Sequence, residues 1–122
     1  MNNENYMEDR VNPAIISDNK TGVLYELDFS RESVKFAESR GFKINELSDF
    51  PATLIPDLFF YAFRKNHKRI ARSQTDALLE KMHGLTGKQL ERLVQLYNQA
   101  ALSNIIVLDE DAEKNAEVTV EL

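Results

Sequence analysis

Apolar positions alternate with polar ones near the start of the chain and recur at steps of three and four near its end. Between the two lies a block that is apolar at every position. Ala14-Ile15-Ile16 and Val23-Leu24-Tyr25-Glu26-Leu27-Asp28-Phe29 are β-type runs separated by the turn-forming stretch Ser17-Asp18-Asn19-Lys20-Thr21-Gly22, a pattern that predicts a hairpin. Val23, Tyr25, Leu27 and Phe29 share one face of the second strand, and Leu24, Glu26 and Asp28 share the other. A lone hairpin is barely stable in water, so its apolar face is expected to pack on helices.

Ser30 is placed to cap a first helix ending near Arg40, with Gly41 as its left-handed stop. Val34 and Ala37 give that helix a narrow buried stripe, with Phe36 and Phe42 near its edges. Lys43 to Ser48 reads as a short connection, and Asp49 with Pro51 just inside as the opening of a second helix. Pro56 removes a donor and disfavours helical geometry at Ile55. Either one bent helix spans Pro51 to Asn66, the favoured reading, or a short turn leads into a helix that starts at Asp57. A third helix is expected from Ser73 to about His83. Thr86-Gly87-Lys88-Gln89 has the spacing of a capping box and opens the fourth. Leu90, Leu93, Val94, Tyr97, Ala100, Ala101 and Ile105 form its apolar stripe, so residues 73–105 read as an αα-hairpin. The expected fold is mainly α (α+β): an N-terminal β-hairpin packed on a bundle of about four helices. Its domain covers residues 13–108, with a flexible N-terminus over 1–12 and a flexible acidic tail over 109–122. In that tail Val118, Val120 and Leu122 have the spacing of a strand that forms on binding.

The central block, Leu58-Phe59-Phe60-Tyr61-Ala62-Phe63, is apolar on every face of a helix, more than a single flat core covers. Phe59 and Phe63 lie one turn apart, in line with Ile55, and are expected in the core. Phe60 and Tyr61 point elsewhere and are candidates for contact with a partner, since aromatic side chains bury much area at small entropic cost. A basic run follows at once. On a continued helix Arg64, Lys65, Lys68, Arg69 and Arg72 make one cationic face, so Arg64, Lys65, Lys68 and Arg69 join Phe60 and Tyr61 as candidate partner-binding residues.

Composition narrows the function classes. The 122 residues are 43% hydrophobic and 29% charged, ordinary for a globular domain. With no cysteine, disulfides, thiolate metal sites and thiol catalysis are excluded. The polar, acidic start MNNENYMEDR is not a secretory signal. The longest apolar stretch, Phe50 to Phe63, holds two prolines and Asp57 and falls short of the roughly 20 residues a membrane span needs, so a soluble protein is expected. From Asp109 onward six acids face one base, Lys114, which accounts for the whole net charge of −5; residues 1–108 are neutral.

No constellation for catalysis stands out. Glu80-x-x-His83 is half of a carboxylate–histidine metal motif, and di-metal bundles need two such pairs and two further glutamates. Gly84-Leu85-Thr86-Gly87-Lys88-Gln89 lacks the length, the hydroxyl after the lysine and the preceding strand of a phosphate loop. There is no Gly-x-Ser-x-Gly turn, and nothing singles out one pair among 20 acids. The reading therefore assigns no catalytic, cofactor-binding or metal residue. The basic run allows three roles: a solvated helix end, a contact with an acidic protein surface, or a phosphate contact. A neutral body and a pI of about 5.0 weigh against the last.

Tyr25-Glu26-Leu27-Asp28-Phe29-Ser30-Arg31, Phe50-Pro51, Ile55-Pro56-Asp57-Leu58-Phe59-Phe60-Tyr61-Ala62-Phe63-Arg64-Lys65-Asn66-His67 and the closing Val118-Thr119-Val120-Glu121-Leu122 together carry a family likeness. The arrangement resembles the tail assembly chaperones of long-tailed (siphovirus-type) bacteriophages and of prophages of Gram-positive bacteria. The likeness runs from about residue 14 to the end, and its motifs are apolar and structural. It implies a non-enzymatic protein of the host bacterial cytoplasm, not retained in the mature virion, with the tape measure protein and the tail tube protein as partners. Self-association is a further partner class, and no membrane contact is implied. Family members often have a longer form made by ribosomal frameshifting, for which the acidic end suits a junction or a recruiting arm. The expected mechanism lays surplus aromatic surface against amphipathic helices of the client, with weak contacts summed along the rod. Two alternatives stand beside it: a structural minor tail or connector component of the virion, and a small nucleic-acid-binding regulator using the basic 64–72 face.

Overall fold

β1 (Ala14–Asp18) and β2 (Val23–Leu27) form the expected antiparallel hairpin, with Ile15 opposite Glu26 and Ile16 opposite Tyr25. The structure, a computed structural model, describes residues 10–103. The hairpin turn closes where the N–H groups of Thr21 and Gly22 both donate to the Asp18 carbonyl, at 3.2 and 2.7 Å. Gly22 takes a φ of 77° there, a conformation glycine adopts at no steric cost. Ala14, Ile16, Tyr25 and Leu27 face the core, while Ile15 and Leu24 on the outer face are 58% and 64% exposed.

Four α-helices follow among the described residues. α1 (Arg31–Ser39) starts at Ser30, whose Oγ accepts from the Ser33 N–H while Ser33 Oγ accepts from the Ser30 N–H, and it closes at Gly41 with φ 89°. A 3₁₀ turn (Ile44–Glu46) leads to α2 (Pro51–Tyr61). α2 runs unbroken through Pro56, as the single-helix reading expected. The carbonyl of Ala52 loses its donor there, but Ala52 is exposed and water is at hand. Two details differ from expectation. The cap position is Phe50 rather than Asp49, whose N–H is tied to the Glu46 carbonyl of the preceding turn. The helix also ends at Tyr61 instead of Asn66, because the next residues turn back to the hairpin.

That return closes a strand edge. Glu26 N–H donates to His67 Nε2 at 3.1 Å, Asn66 Nδ2 donates to the Glu26 carbonyl at 3.2 Å, and Asp28 N–H donates to the Ala62 carbonyl at 3.0 Å. The outer edge of β2 is thereby covered at Glu26 and Asp28 by side chains and backbone of one loop. α3 (Arg72–Lys81) begins where Gln74 Oε1 accepts from the Ala71 N–H. α4 (Gly87–Leu102) has the full capping box between Thr86 and Gln89.

α1 packs most closely on α4, and α2 on α3; α4 also reaches β1. The expected αα-hairpin of α3 with α4 is therefore not formed. The stripe of α4 (Leu93, Leu96, Tyr97, Ala100) is taken up by α1, the hairpin and one side of α2, whereas another side of α2, apolar on several faces, meets α3. Leu96 is fully buried, a position the sequence reading passed over. Residues 1–9, the acidic tail at 109–122 and Ile105 lie outside the described residues.

Edge-to-face aromatic pairs run through the core from Phe29 to Tyr97, to Phe42 and to Tyr61, with centroids 5.1 to 5.5 Å apart. Burial pushes the Tyr97 phenol up from 10.0 to about 12, helped by Glu38 and Tyr61, and burial raises Tyr61 as well. Below pH 10 both phenols are neutral whether folded or unfolded, so their contribution is complete there. As pH rises from 10 towards 12 the unfolded chain ionises first and stability falls. Denaturant titrations across that window should show this loss, and Tyr97→Phe should flatten it while leaving stability at pH 7 nearly unchanged.

Candidate functional site

The central apolar block is absorbed by the fold. Leu58, Phe59, Ala62 and Phe63 are completely buried and Tyr61 is only 8% exposed. This overturns the expectation that the block exceeds what the domain can hide. α2 sits between α1, α3, α4 and the 3₁₀ turn, so most of its apolar surface finds neighbours and Phe60 alone in the block stays partly open. Tyr61, expected at a partner contact, is instead enclosed by Phe42 and Phe36. Phe60 is half-buried at the α2–α3 seam, with the Arg72 guanidinium 5.7 Å from its ring centre.

The cationic face changes as well. Residues 62–71 are turns and coil, so no helix aligns the basic side chains. Arg72 leaves the set entirely, held at 2.9 Å by both Asp57 and Asp76. Lys65 lies 2.6 Å from Asp28, whose other oxygen accepts from the Phe29 N–H. Arg64 swings over the Phe36 ring, its guanidinium carbon 3.7 Å from the centroid, and Arg40 lies over the same ring at 4.7 Å.

What the fold assembles is a groove of about 550 Å³ between the start of α1 and the turn after α2. Phe36 lies among Arg64, Lys65, Lys68 and Lys35, with Glu32 the one acid on its wall among the described residues. Arg69 is not part of it; with His67 and Ile70 it borders a separate shallow surface. Sequence reasoning found Arg64, Lys65 and Lys68 but missed Phe36, Lys35 and Arg40. It read Phe36 as the edge of a helix stripe; Arg40, four residues on at the end of α1, was within reach of helical spacing, but no signal within α1 announces the Arg64 guanidinium arriving from a distant turn.

A second concave surface, of about 610 Å³, lies between β1 and the end of α3, with Ile15 and Ile16 on one side and Leu78 and Met82 on the other. Lys20 and Lys81 are at its rim, and Lys81 Nζ lies 3.5 Å from Asp18. The Lys20 N–H, bonded to Asp18 Oδ1, holds that carboxyl below its ordinary range.

His67 Nε2 is committed to the Glu26 N–H, and His83 is exposed at the end of α3 with a φ of 60°. Among the described residues no three His, Asp or Glu side chains gather to hold a metal ion, and no helix is long and apolar enough to cross a membrane.

A family model described as "Domain of unknown function (DUF5055)" matches residues 7–122, nearly the whole chain. The chain belongs to this family. No curated protein and no solved structure matches it. The match includes both the described domain of this DUF5055 chain and the acidic segment that follows it.

Proposed function

We propose that the chain is a non-enzymatic phage tail assembly chaperone that binds the tape measure protein and helps recruit tail tube subunits in the host cytoplasm. The name of the function rests on the sequence resemblance; the binding surface rests on the groove around Phe36. A half-buried ring beneath two guanidinium groups, with lysines beside it, suits a client helix that carries carboxylates next to apolar side chains. Arginine over an aromatic ring is a strong anchoring element in interfaces, and the cations discriminate against basic clients. Phe60, Tyr61 and Arg69 play no part in this contact.

Co-expression with the tape measure protein tests the surface. Arg64→Glu combined with Lys68→Glu should reduce the recovered client about tenfold or more, with thermal unfolding little changed. Undiminished recovery removes the groove from the proposal. Quantitative mass spectrometry of purified virions tests the function itself. A chaperone is absent from them, whereas a fixed copy number per particle identifies a minor tail or connector component.

A further inference from the structure

Among the described residues the hairpin's β2 edge is covered at Glu26 and Asp28, whereas its β1 edge meets no such loop. Glu26 turns its N–H and carbonyl away from β1 to meet His67 and Asn66, so Ile15 and Glu26 form a non-hydrogen-bonded pair. By alternation the pair Ser17–Leu24 is of the same kind. The N–H and carbonyl groups of Ile15 and Ser17 therefore point outward along the edge of β1. Among the described residues none of these four groups has a partner. They face the groove floored by Leu78 and Met82. An unpaired edge beside an apolar trough is the arrangement that takes up an added strand.

We infer that the edge of β1 is the docking site for this chain's own segment Val118–Leu122, which adds to the hairpin as a third strand. Three observations favour that occupant over any other. Its sequence, Val-Thr-Val-Glu-Leu, alternates, so Val118, Val120 and Leu122 present one apolar face to Leu78 and Met82. Glu117 and Glu121 match the lysines at the rim, Lys20 and Lys81. The path is also long enough. Gln99, one turn from the end of α4, accepts from the Val11 N–H at 2.8 Å, so α4 ends beside the approach to β1. The residues from 104 to 117 span up to roughly 46 Å when extended, more than the width of a domain of this size.

Amide hydrogen exchange resolved by residue tests this in the full chain, because the hairpin carries its own controls. Ile16 pairs with Tyr25 through β2, so its amide is protected whether or not a third strand docks. The Ile15 and Ser17 amides should also be protected in the parent chain. Val118→Asp with Val120→Asp, and separately Val120→Pro, should speed their exchange about tenfold or more while Ile16 stays slow. Fast exchange at Ile15 and Ser17 in the parent overturns the proposal. So does protection that survives these substitutions, since another group then covers the edge. Protection that disappears on dilution, together with a dimer in sedimentation, assigns the edge to a second copy and overturns it equally.

Discussion

Phe63→Ala should destabilise the domain by about 3–5 kcal/mol, the usual cost of truncating a fully buried phenylalanine. Phe63 joins the end of α2 to the hairpin. Its ring meets Phe59 at 5.1 Å, Tyr25 at 5.4 Å and His67 at 6.1 Å, and none of its surface is exposed. The cavity would open between elements that approach from different parts of the chain, so neither can relax into it without losing the other. Domains of this kind have roughly 5–15 kcal/mol in total, so the loss takes much of the reserve. Urea unfolding at pH 7 should show a large drop in the midpoint. A drop below about 1 kcal/mol would mean that Phe63 does not link the hairpin to α2 as described.

Tyr61→Asp should prevent native folding, and Phe60→Asp should not. The two residues are neighbours in sequence and were equivalent candidates for a partner surface. Tyr61 is enclosed by Phe36 and Phe42, so an aspartate there is an unpaired buried carboxylate, at a cost of several kcal/mol before the lost packing is counted. Phe60 lies half-open at the α2–α3 seam beside Arg72, where a carboxylate remains hydrated and near a cation. Its replacement should cost about 1–2 kcal/mol. Circular dichroism and thermal unfolding of both variants separate these outcomes. Cooperative unfolding of Tyr61→Asp near the parent temperature would return this ring to the surface.

The fate of the Leu58–Phe63 block shows where sequence reading runs out. Its composition was legible: six apolar positions need cover on several sides. Whether the cover comes from the same chain or from a partner depends on how many elements surround that helix, and no local pattern encodes this. The basic run is a parallel case. Arg64, Lys65 and Lys68 were found as cations, but their grouping with Phe36 and Lys35 required the helix to end at Tyr61. That ending comes from Asn66 and His67 bonding to Glu26, forty or more residues earlier in the chain.

By itself the sequence determined the hairpin and its turn, the Ser30 and Thr86 caps, the Gly41 stop and the stripe of α4. Each depends on groups within a few residues of one another, where hydrogen bonds to the backbone and side-chain periodicity act without help from the rest of the chain. Only the tertiary structure decided that α2 pairs with α3 and α4 with α1, that Tyr61 is interior, and that the cations divide between ion pairs and the Phe36 groove. Those outcomes depend on which faces meet, and faces are brought together by the burial of area shared among distant segments, a quantity that no short window of residues contains.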